Sequence, residues 1–288
     1  MKIYTPDYYS AFQCIAGACQ HSCCVGWEIV LDEATFARYC KEEVLKKHVA
    51  TKDGVPCIIQ QQDGRCPFLN ADNLCDVILK YGEDAIGQIC TDHPRFRHDY
   101  QTHTEMGLGL CCEAVCDLVL NRKEKTQFEM PDISALSKRE QAFFFLRAEL
   151  IGMAQNREFS VEERMENILA RCGVALPDRN WKEMFLRLER LDSAWDACVE
   201  ALGKDKKRTV PQLQAEQLLV YFLYRHLSGA LEDGRYLERI LFCALSTKVV
   251  CDIFAGTENA FGDIARMYSA EIEYSEQNTE EILEALSE

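Results

Sequence analysis

Sixteen of the 288 residues are cysteine, and twelve of those lie before position 117. The start, Met1-Lys2-Ile3-Tyr4-Thr5-Pro6-Asp7, has no basic stretch leading into an apolar run. No signal peptide is therefore expected, and the cytosol is the expected location. Thiols in a reducing compartment stay unpaired rather than forming disulfides. A chain of this length can bury a core without staples. Crowded thiols in such a chain point to a metal or cluster site.

The thiols fall into three groups. The first is Cys14-x4-Cys19-x3-Cys23-Cys24, followed by Val25-Gly26-Trp27. The second is Cys66-Pro67-Phe68-Leu69 with Leu74-Cys75 and then Cys90, and the third is Cys111-Cys112-Glu113 with Cys116 one helical turn on. Thiolates are soft ligands for zinc, copper(I) or iron–sulfur clusters, and a four-iron cluster takes four of them. Structural zinc favours C-x2-4-C pairs. No C-x2-C pair occurs here, and irregular spacing suits a large cluster better than one tetrahedral ion. Zinc stays open as the alternative metal. Cys172, Cys198, Cys243 and Cys251 lie on apolar helical faces and read as buried thiols. Cys40 and Cys57 stand apart from the motifs and read the same way. His21 and His93 lie among the ligand candidates, although a hydrogen-bonding histidine is the commoner role.

The organisation read from the pattern is mainly α, with an irregular cysteine-rich N-terminal domain (1–126) packed on a C-terminal helical bundle (127–288). The first part is broken by turn signals such as Asp53-Gly54 and Asp63-Gly64. Its helices are expected to be short: Glu33–Val44, Leu74–Tyr81, Asp84–Cys90 and Leu108–Leu120, with Asp32 or Asp72 as caps for the first two. Beyond the polar connector after Asn121, Phe143, Phe144, Leu146 and Leu150 mark one helical face. Trp181, Phe185, Leu188 and Leu191 mark another. Segments 214–231 and 236–254 read as buried helices because they are apolar on more than one face. Segment 263–286 reads as an amphipathic tail, and Pro177 and Pro211 as helix starts. The net charge of -15 argues against nucleic acid as a partner, since phosphate contacts need cations. No stretch is apolar for long enough to span a bilayer, so no membrane partner is expected.

At these residues the chain resembles the flagellin lysine-N-methylase family. The resemblance rests on Phe12-Gln13-Cys14, Cys19, Cys23-Cys24-Val25-Gly26-Trp27, Cys66-Pro67-Phe68-Leu69, Leu74-Cys75, Tyr81-Gly82-Glu83, Cys90 and Pro94-Arg95. Softer matches follow at Tyr221-x-x-Tyr224-Arg225-His226 and Ile272–Asn278. The resemblance implies methyl transfer from S-adenosylmethionine to lysine side chains of flagellin. It also implies an iron–sulfur cluster, [4Fe-4S] in type, on the N-terminal cysteines: Cys14, Cys19, Cys23, Cys24, Cys66, Cys75, Cys90 and Cys111. Where the family tends to read Cys-Pro-Glu, this chain has Cys111-Cys112-Glu113. Aligning Cys111 with the family cysteine makes Cys112 the substitution; the reverse alignment is the alternative. The family often has His where Tyr274 stands, and no role is carried onto Tyr274.

The residues themselves limit how such an enzyme would work. G-x-G-x-x-G, the phosphate-cradling turn of dinucleotide-type folds, is absent, and so is the C-x3-C-x2-C triad of radical chemistry. A cluster with an open iron, chelating the amino and carboxylate groups of the cofactor, is the expected substitute. Lysine, with an ordinary pKa of about 10.4, must lose its proton before it attacks a methyl group. Glu113, Glu83 and Glu28 are candidate bases, and Tyr81 a candidate to position the amine. Arg95 is a candidate partner for the cofactor carboxylate. Trp27 and Phe68 would shield the cluster or stack on an adenine. Two other classes stay open: a non-catalytic zinc- or iron-binding adaptor or chelator, and an iron–sulfur electron carrier.

Overall fold

The computed structural model describes residues 2–287. The fold is mainly α, with short strands and many short turns in its first third. It divides into two compact units. One, the cysteine unit, comprises Gln13–Phe96 and Cys112–Ala114; the other, the helical unit, takes the stretch ending at Phe12, Arg97–Cys111, and the chain from Val115 onward. A cut at 126/127 differs from this division at the first twelve residues, at 97–111 and at 115–126. The first two stretches go with the helical unit because they form a sheet: strand Lys2–Tyr4 runs parallel to His103–Leu108, with Tyr4 opposite Glu105. Strand Arg95–Asp99 lies on the other side of that central strand. The central strand is buried at His103, Thr104, Glu105, Gly107 and Leu108. It is therefore covered on both faces, and alternation is absent from its sequence. This strand ends at Leu108, the residue where a helix is expected to start; the helix begins only at Glu113 and runs to Leu120.

The helical unit is organised by Gln212–His226 and Tyr236–Gly256, which are buried on nearly every face. Lys138–Ala154 and Val161–Cys172 each begin with a capping box, Ser137 with Glu140 and Ser160 with Glu163. Each box satisfies two backbone donors at the first turn. Phe143, Phe144 and Leu150 face the core as their spacing predicts, but Arg147 is buried among them. The helix from Trp181 stops at Arg187, because Leu188 turns to an extended backbone. Its start is capped by Asn180 rather than led by Pro177. The expected continuous tail is broken: Phe261–Tyr268 is followed by a π turn, Ser269–Glu273, and then by Glu276–Leu286.

That π turn sends Glu273 inward. Its carboxylate accepts hydrogen bonds from the Tyr221 hydroxyl at 2.9 Å and from His226 Nε2 at 2.5 Å, and it pairs with Arg225 at 3.4 Å. Burial pushes this carboxyl up, but Arg225 and His226 outweigh burial and hold it at about 2. Burial likewise keeps His226 below its ordinary value, so it is neutral at pH 7 and donates from Nε2. Elsewhere in the unit, Arg147 Nη1 donates to Glu105 Oε2 at 2.7 Å and to Ser228 Oγ at 2.9 Å. Glu216 receives both Arg164 at 2.8 Å and Arg157 at 2.7 Å. Buried charges persist only when paired in this way. No helix among the described residues is long and apolar enough to cross a membrane.

The cysteine unit is built from short pieces. Helix Glu33–Tyr39 is followed by the hairpin Val49–Lys52 with Val55–Ile58 and by helices Asp76–Tyr81 and Gln88–Asp92. The hairpin turns at Asp53 (φ 51°) and Gly54 (φ 86°). Two successive positive φ values match the right-handed twist of the strands. The small core is formed by Ile29, Leu31, Tyr39, Phe68 and Val77, with Cys66 among them.

Candidate metal centre

The cysteine unit brings its thiols together through backbone stitching rather than long elements. Gly26 N donates to Gly64 O at 3.0 Å, and Val25 bridges Arg65. Both glycines are left-handed, with φ of 87° and 76°, which an L side chain resists. One residue further in each segment, Cys66 N donates to Cys24 O at 2.7 Å. From Cys66 the chain makes a tight loop. Asn70 Oδ1 accepts from the backbone of Asp72 and Leu74, each at 3.0 Å. Asn70 N donates to Leu74 O at 2.9 Å, and Asp76 N to Phe68 O at 2.8 Å. Leu69 and Cys75 therefore form a bridge, and Cys75 returns to the neighbourhood of Cys66.

Cys90 arrives from another direction. Asp32 accepts from Thr35 N at 2.8 Å and from Gln88 N at 3.1 Å, so one carboxylate caps two helix starts. Those amide bonds, Thr35 first, hold it at about 2. Tyr39 and Arg38 both donate to Ala85 O at 3.0 Å, fixing the approach to helix Gln88–Asp92. Cys90 then packs with Cys24 and Cys75 against the core that contains Cys66.

A second gathering of thiols lies at the start of the unit. The turn Ala16–Ala18 is closed by Cys19 N donating to Ala16 O at 3.0 Å. Ala16 N points to Cys14 Sγ at 3.4 Å. A methyl group on Gly17 would meet Asp72 O at 2.7 Å, so the loop fits only with glycine there. Glu113 Oε2 accepts from Gln20 N at 2.9 Å, His21 N at 3.2 Å and the Cys19 thiol at 3.6 Å. Glu113 thereby ties Cys112, its chain neighbour, to the Cys19 loop. Trp27 Nε1 donates to Cys23 O, and the Trp27 ring lies 5.9 Å from that of His93.

Electrostatics follow from this crowding. Burial pushes Cys66 to about 11 and Cys90 to about 12, with their neighbouring cysteines adding to the effect. Cys75 is raised for the same first reason. Cys19 is pushed to about 11 by burial and by Glu113 and Cys112. Cys23 donates its S–H to Cys24. This holds Cys24 down at about 7 and raises Cys23, with Cys14 and Cys112 as further neighbours that disfavour its anion. Clustered thiols that resist ionising one beside another are what a cationic centre relieves, since metal binding displaces the protons. Among the described residues, no three His, Cys, Asp or Glu side chains close in on a point that would hold a single ion.

The other expected residues are placed as follows. Cys111 falls in the helical unit, its thiol 4.0 Å from Gly109 O and hydrogen-bonded to Tyr274. Tyr81 ends helix Asp76–Tyr81 and packs partly buried against the core; Glu83 follows in the next turn. Arg95 Nη1 donates to Thr91 O at 3.1 Å. Glu28 pairs with Lys52 at 3.0 Å on the surface. Phe68 is buried and meets Tyr39 edge-on at 5.9 Å. Of the residues left outside the expected ligand set, Cys112 neighbours Cys19 and Cys23, and Cys40 packs on the core beside Cys24, Cys75 and Cys90. The only sequence signal for Cys112 was the adjacent pair Cys111-Cys112, which allowed either alignment.

No family model matches the chain, and no solved structure matches it. Curated relatives do. A protein named Lysine-N-methylase from Salmonella typhimurium is 28% identical over 150 residues, covering 48% of this chain and 35% of that protein. A Lysine-N-methylase from Salmonella choleraesuis matches to the same extent. The Flagellar biosynthetic protein FliU of Salmonella muenchen is 27% identical over 151 residues, covering 49% of this chain and 85% of that protein. The chain thus spans about a third of the length of the two lysine-N-methylases it matches. The likeness to the flagellin lysine-N-methylase family carried by the cysteine motifs is met by curated relatives of that name and of flagellar biosynthesis over about half of the chain.

Proposed function

We propose that this chain is an S-adenosylmethionine-dependent protein-lysine N-methyltransferase acting on flagellin in the cytoplasm, with an iron–sulfur cluster on the thiols of the cysteine unit. The observation that carries the reading is the convergence of cysteines from separated segments in that unit, in a chain similar to proteins named for lysine methylation. The donor set fits the cofactor: it is all thiol, and it is held by backbone hydrogen bonds and glycine turns that would persist under exchange of protons for iron. When bound, an iron–sulfur cluster with an open iron supplies a Lewis-acidic point that takes amino and carboxylate groups.

The chain's own residues would supply the rest. Trp27, at the junction of the Cys23-Cys24 pair and His93, excludes water and offers a face for an adenine. Arg95 offers a guanidinium for the cofactor carboxylate. The substrate ammonium has to give up its proton. Glu113 stands among the thiols with Oε2 engaged by the Cys19–His21 loop, and Glu83 and Tyr81 stand at the end of helix Asp76–Tyr81. These three are the candidates to take the proton or orient the amine.

Anaerobically prepared protein incubated with S-adenosylmethionine and purified flagellin tests this by mass spectrometry of the flagellin. Added methyl masses of 14 Da on lysine, lost when S-adenosylmethionine is omitted, are expected. Unmodified flagellin with iron-loaded protein would end the enzymatic reading in favour of a chelator or electron carrier.

A further inference from the structure

Ten of the cysteines lie in one compact unit; apart from Cys57 and Cys40, which packs on the same small core, they fall into two sets of four. Cys24, Cys66, Cys75 and Cys90 pack together against the small core, where Cys66 is 5% exposed. Cys66 is tied to Cys24 by a 2.7 Å backbone bond, and the Leu69–Cys75 bridge brings Cys75 back to Cys66. Cys14, Cys19, Cys23 and Cys112 gather at the start of the unit: Cys112 neighbours both Cys19 and Cys23, Cys14 neighbours Cys23, and the closed turn at Ala16–Ala18 and Glu113 hold the Cys14 and Cys19 loop. Each group has four thiols, the number that a four-iron cluster takes. Cys23 neighbours Cys14 and Cys112 while its S–H donates to Cys24, so the two sets touch at this dipeptide.

We propose that the cysteine unit carries two four-iron clusters. An inner one is bound by Cys24, Cys66, Cys75 and Cys90, and an outer one by Cys14, Cys19, Cys23 and Cys112. This rests on the iron–sulfur reading above and adds the number of centres and their division.

Two features support the division beyond counting. Sulfurs around a single tetrahedral ion lie about 4 Å apart, given a Zn–S bond of about 2.3 Å. A cubane spreads its ligand sulfurs wider and so accepts thiols that arrive from separate turns, as Cys24, Cys66, Cys75 and Cys90 do. The Cys111-Cys112 pair is also split between units. Cys112 goes with the cysteine unit through Glu113, whereas Cys111 stays in the helical unit beside Tyr274 and Arg225. Glu113 acts in the outer set as a positioning residue, because one carboxylate oxygen holds the loop of Cys19 next to Cys112.

Native mass spectrometry of the full chain under anaerobic conditions, with iron and acid-labile sulfide determined in parallel, tests this. Wild type is expected to carry about eight irons and eight sulfides. Cys112→Ser and Cys75→Ala should each retain about four, the double variant none, and Cys111→Ala the full complement. Far-UV circular dichroism identifies variants that fail to fold, and the wild-type mass stands without any variant. One cluster in the wild type, zinc in place of iron, or loss on Cys111→Ala with retention on Cys112→Ser would overturn the proposal. Methyl transfer is read separately: an active single-cluster protein refutes only the second centre, and an inactive two-cluster protein refutes only the enzyme.

Discussion

In the helical unit the two organising helices, Gln212–His226 and Tyr236–Gly256, run to 15 and 21 residues and are buried almost from end to end. The longest helix of the cysteine unit, Glu33–Tyr39, has seven residues, of which Thr35 and Tyr39 are buried. The first unit has apolar surface enough to pay for its chain entropy, and it even tolerates buried ion pairs. The second has a core of about ten side chains with cysteine among them, and most of its order comes from turns, caps and single bridges. A domain of that size with so little apolar burial is marginal on its own. The same region that lacks core carries the surplus thiols, so on the iron–sulfur reading proposed above its stability would be coupled to the cluster they hold.

The sharpest way to break that comparison is to remove the proposed iron. Chelation of iron from anaerobically prepared protein should raise amide hydrogen exchange throughout 13–96 by orders of magnitude. Exchange in 212–226 and 236–256 should stay slow. Equal protection of both regions before and after iron removal would show that the cysteine unit is held by its own packing, and the thiols would then be passengers.

The converse test loads the damage on the other unit. Arg147 is 4% exposed and packs over the rings of Phe143, Phe144 and Tyr224 while it pairs with Glu105. Arg147→Ala leaves Glu105, 1% exposed, with an uncompensated buried charge. Breaking such a pair costs about 3–5 kcal/mol. Thermal unfolding followed by circular dichroism should show a loss of that order, with the iron content of the folded protein unchanged. A loss under 1 kcal/mol would mean that water or Tyr100, whose hydroxyl donates to Glu105 at 3.1 Å, already solvates the carboxylate.

The two units also differ in how much of them the sequence discloses. In the helical unit the apolar faces are long enough for their period to be read, and 214–231 and 236–254 lie within a few residues of the helices found. What escapes there is local: the strand at His103–Leu108, which is short and buried on both sides and so carries no alternation, and the π turn at Ser269–Glu273, which no apolar period marks. In the cysteine unit the reverse holds. Asp32 was legible as a cap and Asp53-Gly54 as a turn, because each depends on one or two residues. The grouping of thiols was not legible, because it depends on pairings such as Gly26 with Gly64 and Glu113 with the Cys19 loop. Those pairings join segments tens of residues apart and leave no local period. Glu113 shows the point. From sequence it is a carboxylate beside a cysteine motif, whereas the fold gives it three donors from the Cys19–His21 loop.

Acid provides the mildest perturbation, and it separates the units by charge rather than by metal. Glu273 is fully enclosed and is held at about 2, because Arg225 and His226 outweigh the burial that would raise it. Its unfolded value is that of an ordinary glutamate, about 4.3. A carboxyl depressed in the folded state contributes stability that is whole above the unfolded value and lost as pH falls through the folded one. His226 works in the same direction at higher pH. Its folded value lies below its ordinary value of about 6.5, so the unfolded chain binds the proton first as pH falls. Stability of the helical unit should therefore begin to decline below about pH 6.5 and fall more steeply between about pH 4.5 and 2. Glu273→Gln keeps the shape and removes the carboxylate, so its stability should be lower at neutral pH and flatter across the acid window. Urea titrations of both proteins at pH 7, 4.5 and 3, followed by the circular dichroism of the long helices, read this difference. Parallel acid slopes in the two proteins would mean that the buried Tyr221–Arg225–His226–Glu273 network does not set the acid limit of the unit.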